Sequence, residues 1–488
     1  MPTSSRQKSG AGRWSRLAGA MPGPKHAAML CAGAILAVAA TGPALAEVSR
    51  LVVKESGPLG TFGGRQYTWV TAEMEGTVAR EDGPTGHYRV PVSLVYPDHD
   101  SNGFGFVDVV NSADFSNYLD ETAPLGKRKI YYTGDVIHSD YLRREGFTYI
   151  AVQWSRMVTE VLGPDYGFIE NGEDGWEIIK DAARFVRNPV NKLEGDLPFE
   201  LGAVAHVIGH GYSQTGSVLM EFVRSGRNRE ESGALVFDGV MAGGTEFCNA
   251  LNNDDTPRSG PGPTIPRFYE SAPCEYPFPE DGKLILIQLQ SELDEYALED
   301  WPAPPRYETS SFRRYELAGV SHIPPDLNML ATMGATGQNP VSFRPVFKAM
   351  LRNLVDWIET GTEPPPPRYI EGKIGSDGRF HLATDADGNV EGGVRLPHMP
   401  TVLSNGERVG APLGVYGGLD QDYYEPFNVY PWLGGTFEPF SEQELKKRYP
   451  SDDTYVELVE KGAAALLAER FILEEDYEAY LASARRGW

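Results

Sequence analysis

The stretch V-I-G-H-G-Y-S-Q-T-G-S-V-L-M-E-F at 207–222 limits what this chain can fold into more than any other. An apolar run ends in Gly209, His210 and Gly211, Tyr212 and a serine follow, and helix-like spacing begins at once. A strand that turns into a helix without a loop forces the residue at the bend into a strained backbone. Its neighbours must be small for the helix to pack against the strand. In return, the Ser213 hydroxyl is held clear of the sheet edge, beside the unpaired N–H groups of a helix start. A serine can also merely cap a helix. The strand–turn–helix setting makes Ser213 a candidate nucleophile instead. The motif departs from G-x-S-x-G, because Thr215 stands at the second glycine position and Gly216 comes one later.

Around this bend, strand-like and helix-like segments alternate. Val48 to Asp98 alternates apolar and polar residues, as antiparallel hairpins do. Strands are expected at Phe104–Asn111, Phe147–Trp154, Ala203–Ile208, Ala234–Met241, Lys283–Gln290 and Phe312–Ala318. Helices are expected at Glu173–Arg187, Gln214–Arg224 and Arg344–Glu359. Several of these strands are apolar throughout, so the fold class is α/β, a mainly parallel sheet with helices on both faces. Residues from about 245 to 281 form a long Pro-, Gly- and Asn-rich insert, the composition of a lid or binding loop. Pro364-Pro365-Pro366-Pro367 reads as a stiff boundary before a C-terminal extension, 364–488, with helical stretches near 454–469 and 474–484.

A serine hydroxyl needs a base, and the base needs an orienting acid. In this architecture the chain order is Ser, acid, His. Ser291-Glu292-Leu293-Asp294 follows one expected strand, and Ala318-Gly319-Val320-Ser321-His322 ends the next. His322 is the expected base. Asp294 is the first choice of acid, Glu292 its rival and Asp238 a distant third. The oxyanion donors are expected from the backbone of Gln214 and from the loop holding Ser112 and Ala113. Tyr212 and His210, beside the nucleophile, are expected to line the substrate site.

The N-terminus carries Arg6, Lys8, Arg13, Arg16 and Lys25 without an acid, then an apolar run and the A-x-A ending of a signal peptide at Ala46. Residues 1–46 are therefore expected to be removed, leaving 47–488 as an exported domain, periplasmic or secreted, with no stable membrane anchor. The whole chain already has a formal net charge of −24, which disfavours nucleic acid as a partner. Cys248 and Cys274 are expected to pair in an oxidising compartment. No Cys/His spacing resembles a metal site, and no cofactor is expected.

G-Y-S-Q-T-G at 211–216, F-D-G-V-M at 237–241, S-E-L-D at 291–294 and R-Y-E-L-A-G-V-S-H at 314–322 resemble the secreted bacterial α/β-hydrolase domain proteins with a G-x-S-Q-[ST]-G elbow. E-P-P-P-P-R-Y at 363–369, the run at 385–398 and L-L-A-E-R-F-I-L-E-E-D at 466–476 extend the resemblance over nearly all of 47–488. Ser217 stands where that family often has arginine, and S-E-L-D replaces its common S-E-T-[DE]. The resemblance implies an α/β-hydrolase fold that includes the extension. It also implies carboxylesterase-like chemistry on a small-molecule or polymer-derived ester. An amidase or lactonase with the same triad, or a non-catalytic glycan- or polymer-binding protein on this scaffold, stays open at this point.

Overall fold

The alternation of residues 48–98 becomes three long antiparallel strands in the computed structural model. It describes residues 47–80, 84–110, 140–156, 167–189, 201–245, 278–298, 306–325, 337–420 and 432–487. The strands are β1 (Glu47–Phe62), β2 (Arg65–Val78) and β3 (Gly86–Pro97). Along β2 the buried residues Val70, Ala72, Met74 and Val78 recur at even spacing, as a half-buried strand requires. The edge strand β1 carries three register shifts along its pairing with β2. Bulges of this kind keep a long edge from pairing with a second chain.

The chain continues through β4 (Phe104–Val109), α1 (Tyr141–Glu145), β5 (Thr148–Val152), β6 (Phe168–Ile169), α2 (Asp174–Arg187), β7 (His206–Tyr212) and α3 (Gln214–Arg224). Then come β8 (Gly239–Gly243), β9 (Lys283–Leu289), α4 (Gln290–Leu298), β10 (Phe312–Ala318) and α5 (Arg344–Thr360). The sheet has eleven strands in the order β1-β2-β3-β5-β4-β7-β8-β9-β10-β13, where β13 is the short Val394–Arg395 strand of the C-terminal extension, with β6 beside β3. Pairing is antiparallel as far as β3–β5 and parallel from β5–β4 to β10–β13. From β4 the chain steps to β5 on one side, then to β7 on the other. That reversal opens a crevice outside the carboxyl ends of β4 and β7, where open α/β sheets bind ligands.

Both faces of the sheet are covered. One packs on Ile178, Ile179, Ala182 and Val186 of α2 and on Leu219 and Phe222 of α3. The other packs on Val346, Phe347, Met350 and Leu354 of α5. This is the α/β-hydrolase architecture: a large, mostly parallel sheet between helices.

Strand edges shift where side chains intervene. β8 starts at Gly239 rather than Ala234, because the Asn228 amide brackets Phe237, donating to its carbonyl at 3.0 Å and accepting its N–H at 2.9 Å. β9 stops at Leu289, and Gln290 already begins a helix.

The prolines at 364–367 do not separate two bodies. The Tyr315 hydroxyl, on β10, donates to the Pro365 carbonyl at 2.6 Å, and Arg313 pairs with Glu363 at 2.7 Å. Beyond them come β11 (Gly372–Ile374), β12 (Phe380–Leu382), β13 (Val394–Arg395), β14 (Thr401–Val402), β15 (Arg408–Val409), β16 (Gly414–Gly417) and β17 (Thr436–Pro439). Strand β13 joins the main sheet in parallel beside β10, with Leu317 opposite Val394. The helices α6 (Glu442–Arg448), α7 (Asp452–Ala468) and α8 (Glu474–Ala484) complete the chain. Ala463, Leu466 and Leu481 of the last two enter the α5-side core. Among the described residues, no helix is long and apolar enough to cross a membrane. The expected signal peptide, the centre of the expected lid and both Cys248 and Cys274 lie outside the described residues.

Candidate active site

The bend between β7 and α3 has the strain its sequence implied. Ser213 sits at φ 58° and ψ −122°, a conformation that side chains rarely adopt. Two glycines permit it. A Cβ on Gly211 would lie 2.4 Å from the Thr215 carbonyl oxygen, and one on Gly216 would lie 2.7 Å from that of Gly243. The second contact explains why glycine is needed at 216: there α3 passes the end of β8. Thr215 instead clasps the bend. Its hydroxyl oxygen accepts the Tyr212 N–H at 3.0 Å and lies 3.1 Å from the Tyr212 carbonyl.

Ser213 is the N-cap of α3, yet its hydroxyl makes no capping bond. It lies 2.9 Å from Nε2 of His322. The other ring nitrogen, Nδ1, is 2.7 Å from Oε1 of Glu292. Glu292 is 3% exposed, and its oxygens have further partners. The Leu289 N–H donates to Oε2 at 2.6 Å, and the Ser291 hydroxyl donates to Oε1 at 2.9 Å. Glu292 also lies in the first turn of α4, where a negative charge is favoured. The three side chains thus form a hydroxyl–imidazole–carboxylate chain assembled from the ends of β7, β9 and β10.

Asp294 is not the carboxylate behind the ring. The expectation treated S-E-L-D as a loop, but these residues are helical. Two positions along a helix turn the side chain by about 200°. Glu292 therefore faces His322, while Asp294 faces the C-terminal segment, its Oδ2 against Gly418, where a Cβ would lie 2.6 Å away. Burial pushes its carboxyl up to about 7, the Gln290 side chain and the Leu419 and Gly418 backbone oppose the rise, and the Glu292 charge adds to it. Asp238 precedes β8 instead of ending it. It accepts the Val207 N–H at 2.8 Å and pairs with Arg187 at 2.9 Å, away from the imidazole.

Tyr212 and His210 flank the proposed nucleophile and base differently. The Tyr212 hydroxyl donates to the backbone carbonyl of His322. The Tyr212 ring stacks on Phe343 and lies 5.1 Å, centre to centre, from the His322 ring. Burial, then the nearby Glu292 charge, holds the phenol well above its ordinary range, so it remains a donor. His210 is 1% exposed. Its Nδ1 is 3.1 Å from Asp108, whose carboxylate also accepts from the Tyr149 hydroxyl at 2.8 Å. Gln214 stands at the start of α3, while Ser112 and Ala113 lie outside the described residues. Among the described residues, no group of three or more His, Cys, Asp or Glu could hold a metal ion.

Sequence reading missed the frame around His322. The Asn339 side-chain amide donates to the carbonyls of Gly319 and Gly417, each at 3.1 Å. The Ile323 N–H donates to Leu433 at 3.1 Å. Nothing in the sequence marks these contacts, two of which join segments far apart in the chain, Asn339 to Gly417 and Ile323 to Leu433.

Residues 136–482 match the alpha/beta hydrolase domain family, and the chain belongs to it. No curated protein matches the chain. Among solved structures, the chain is similar to esterase Est22, at 13% identity over 40% of this chain and 44% of that one, with a TM-score of 0.21. It is also similar to brefeldin A esterase, described as a bacterial homologue of human hormone sensitive lipase, at 14% identity over 39% and 42%, with a TM-score of 0.21. Acetyl xylan esterase 1 from Thermoanaerobacterium sp. JW/SL YS485 aligns at 14% identity over 40% and 52%, with a TM-score of 0.22. The matched region thus spans about half or less of each of these structures.

Proposed function

We propose that the protein is an exported serine hydrolase of carboxylic esters. One observation carries this reading: a serine held at positive φ on a strand-to-helix bend, with an imidazole 2.9 Å from its hydroxyl and a buried carboxylate 2.7 Å behind the ring. Strain of this kind costs about 1–3 kcal/mol and gathers at functional sites. A capping serine has no need of it.

In the proposed reaction Ser213 Oγ attacks the ester carbonyl carbon while His322 Nε2 takes its proton. Glu292 holds the ring by Nδ1 and stabilises the imidazolium. The tetrahedral oxyanion is met by backbone N–H groups, that of Gln214 among them. Collapse breaks the bond to the alcohol, which leaves with the proton from His322. Water, deprotonated by His322, then attacks the acyl-enzyme and releases the acid and free Ser213. The chain's own groups and water balance every step.

A fluorophosphonate probe tests the reading. Stoichiometric labelling at Ser213 is expected, with p-nitrophenyl acetate turned over faster than the matched anilide. A folded protein that takes no label would be a binding module instead, and faster anilide turnover would make it an amidase. Export predicts a mature N-terminus at Glu47. Pairing of Cys248 with Cys274 predicts that alkylation of the unfolded, unreduced protein leaves both unmodified.

A further inference from the structure

We propose that Asp294 is a positioning residue: it fastens the helix bearing Glu292 to the Gly417–Leu419 turn and, through Gln290, to the loop that carries His322. The inference rests on the hydrolase reading and assigns a role to the carboxylate that the triad leaves unused.

The contacts form a closed circuit. Asp294 Oδ2 lies against Gly418, where a Cβ would come within 2.6 Å of it, and the rise in its carboxyl is opposed by the Leu419 and Gly418 backbone and by the Gln290 side-chain amide. The oxygen of that same amide accepts the Gly319 N–H at 2.8 Å. The Gly319 carbonyl is taken by Asn339, which also binds the Gly417 carbonyl, so the circuit returns to the turn where it began. Gly319 lies three residues before His322, and Gln290 two before Glu292. Base and acid are thus indexed to one another through buried amides as well as through their own bond.

The approach leaves no slack. A Cβ on Gly418 would lie 2.6 Å from Asp294 Oδ2, 2.5 Å from the Ser291 nitrogen and 2.7 Å from the Gln290 carbonyl carbon. A Cβ on Gly435 would lie 2.8 Å from Cβ of Ser321, the residue before the base. The C-terminal segment therefore presses on both sides of the triad. A desolvated carboxylate is costly to keep for packing alone. A carboxylate seated between this helix and the Gly417–Leu419 turn is suited to fixing their relative position.

The test compares D294A, D294N and Q290A with wild type, using kcat and KM on p-nitrophenyl acetate, the rate of fluorophosphonate labelling and the thermal midpoint. D294A removes the acceptor. It is expected to lower kcat and the labelling rate about ten- to a hundredfold while KM stays within about twofold, since misplacement of reacting groups acts on the chemical step. D294N keeps an oxygen for the backbone N–H groups and should recover most of the loss. Should D294A fail to fold, Q290A, which severs the link to Gly319, must show the same loss in kcat. Wild-type labelling in D294A or Q290A, or D294N no better than D294A, overturns the inference and leaves the hydrolase reading standing. Absence of label and turnover in wild type overturns both.

Discussion

The Tyr212 hydroxyl donates to the backbone carbonyl of His322, so the residue before the proposed nucleophile holds the proposed base in place. The Y212F variant keeps the ring and its stacking on Phe343 but loses this bond. Its stability should fall by only about 1 kcal/mol, the net worth of one hydrogen bond. Its kcat should fall about tenfold at unchanged KM, because the imidazole loses a constraint. Steady-state kinetics beside urea denaturation separate the two effects. A kcat equal to wild type would show that Tyr212 is packing only.

The assignment of Glu292 over Asp294 makes a direct contrast. E292Q preserves shape but removes the charge facing Nδ1 and should cost up to about 10⁴-fold in kcat, as loss of a triad acid does. D294N should remain close to wild type. If the two variants exchanged these phenotypes, the geometry at His322 would be misassigned.

Strain at the bend predicts that function and stability oppose each other at Ser213. Glycine relaxes freely at φ 58°, so S213G should be inactive yet more stable than wild type by about 1 kcal/mol. G216A should do the reverse to stability, losing about 1–3 kcal/mol as its methyl meets the Gly243 carbonyl 2.7 Å away. Denaturant midpoints for the two variants should fall on opposite sides of wild type.

Asp294 also predicts a pH signature. Its folded-state carboxyl, raised to about 7 by burial, binds a proton at pH values where the unfolded chain has lost it. The folded state then holds more protons, so this group's contribution to stability falls as pH rises from the ordinary aspartate value to about 7, and is flat above. Asp181, buried against Tyr88 and Arg184 and raised to about 6, acts with the same sign. The D294N variant lacks the first contribution. Its stability relative to wild type should grow with pH across that window, by at most about 1.4 kcal/mol per pH unit. A difference that stays constant with pH would mean that Asp294 is ionised throughout.

Much of the architecture was legible because long periodic segments carry it. The hairpins of residues 48–98, the all-apolar strands and the helices of 174–187 and 344–360 follow their hydrophobic patterns. The bend at Ser213 was legible because only glycine fits at 211 and 216. Illegible features were those that depend on a boundary or on distant contacts. One residue of early helix at Gln290 was enough to exchange the directions of Glu292 and Asp294. His210 was expected to line the site because it neighbours the bend, and its burial beside Asp108 depends on a contact between strands that no local pattern marks. Pro364–Pro367 read as a boundary, but the Pro365 carbonyl is tied to Tyr315, and β13 continues the sheet beyond it. The clasp of Asn339 on Gly319 and Gly417 joins residues up to 98 apart in sequence, from 319 to 417, and no local pattern encodes it.

Active-site labelling of the folded protein with a fluorophosphonate, read by peptide mass, reaches the centre of the account. One adduct per chain, located on Ser213 and abolished by H322A, is the predicted result. A folded chain without an adduct, or with one on another serine, would contradict it.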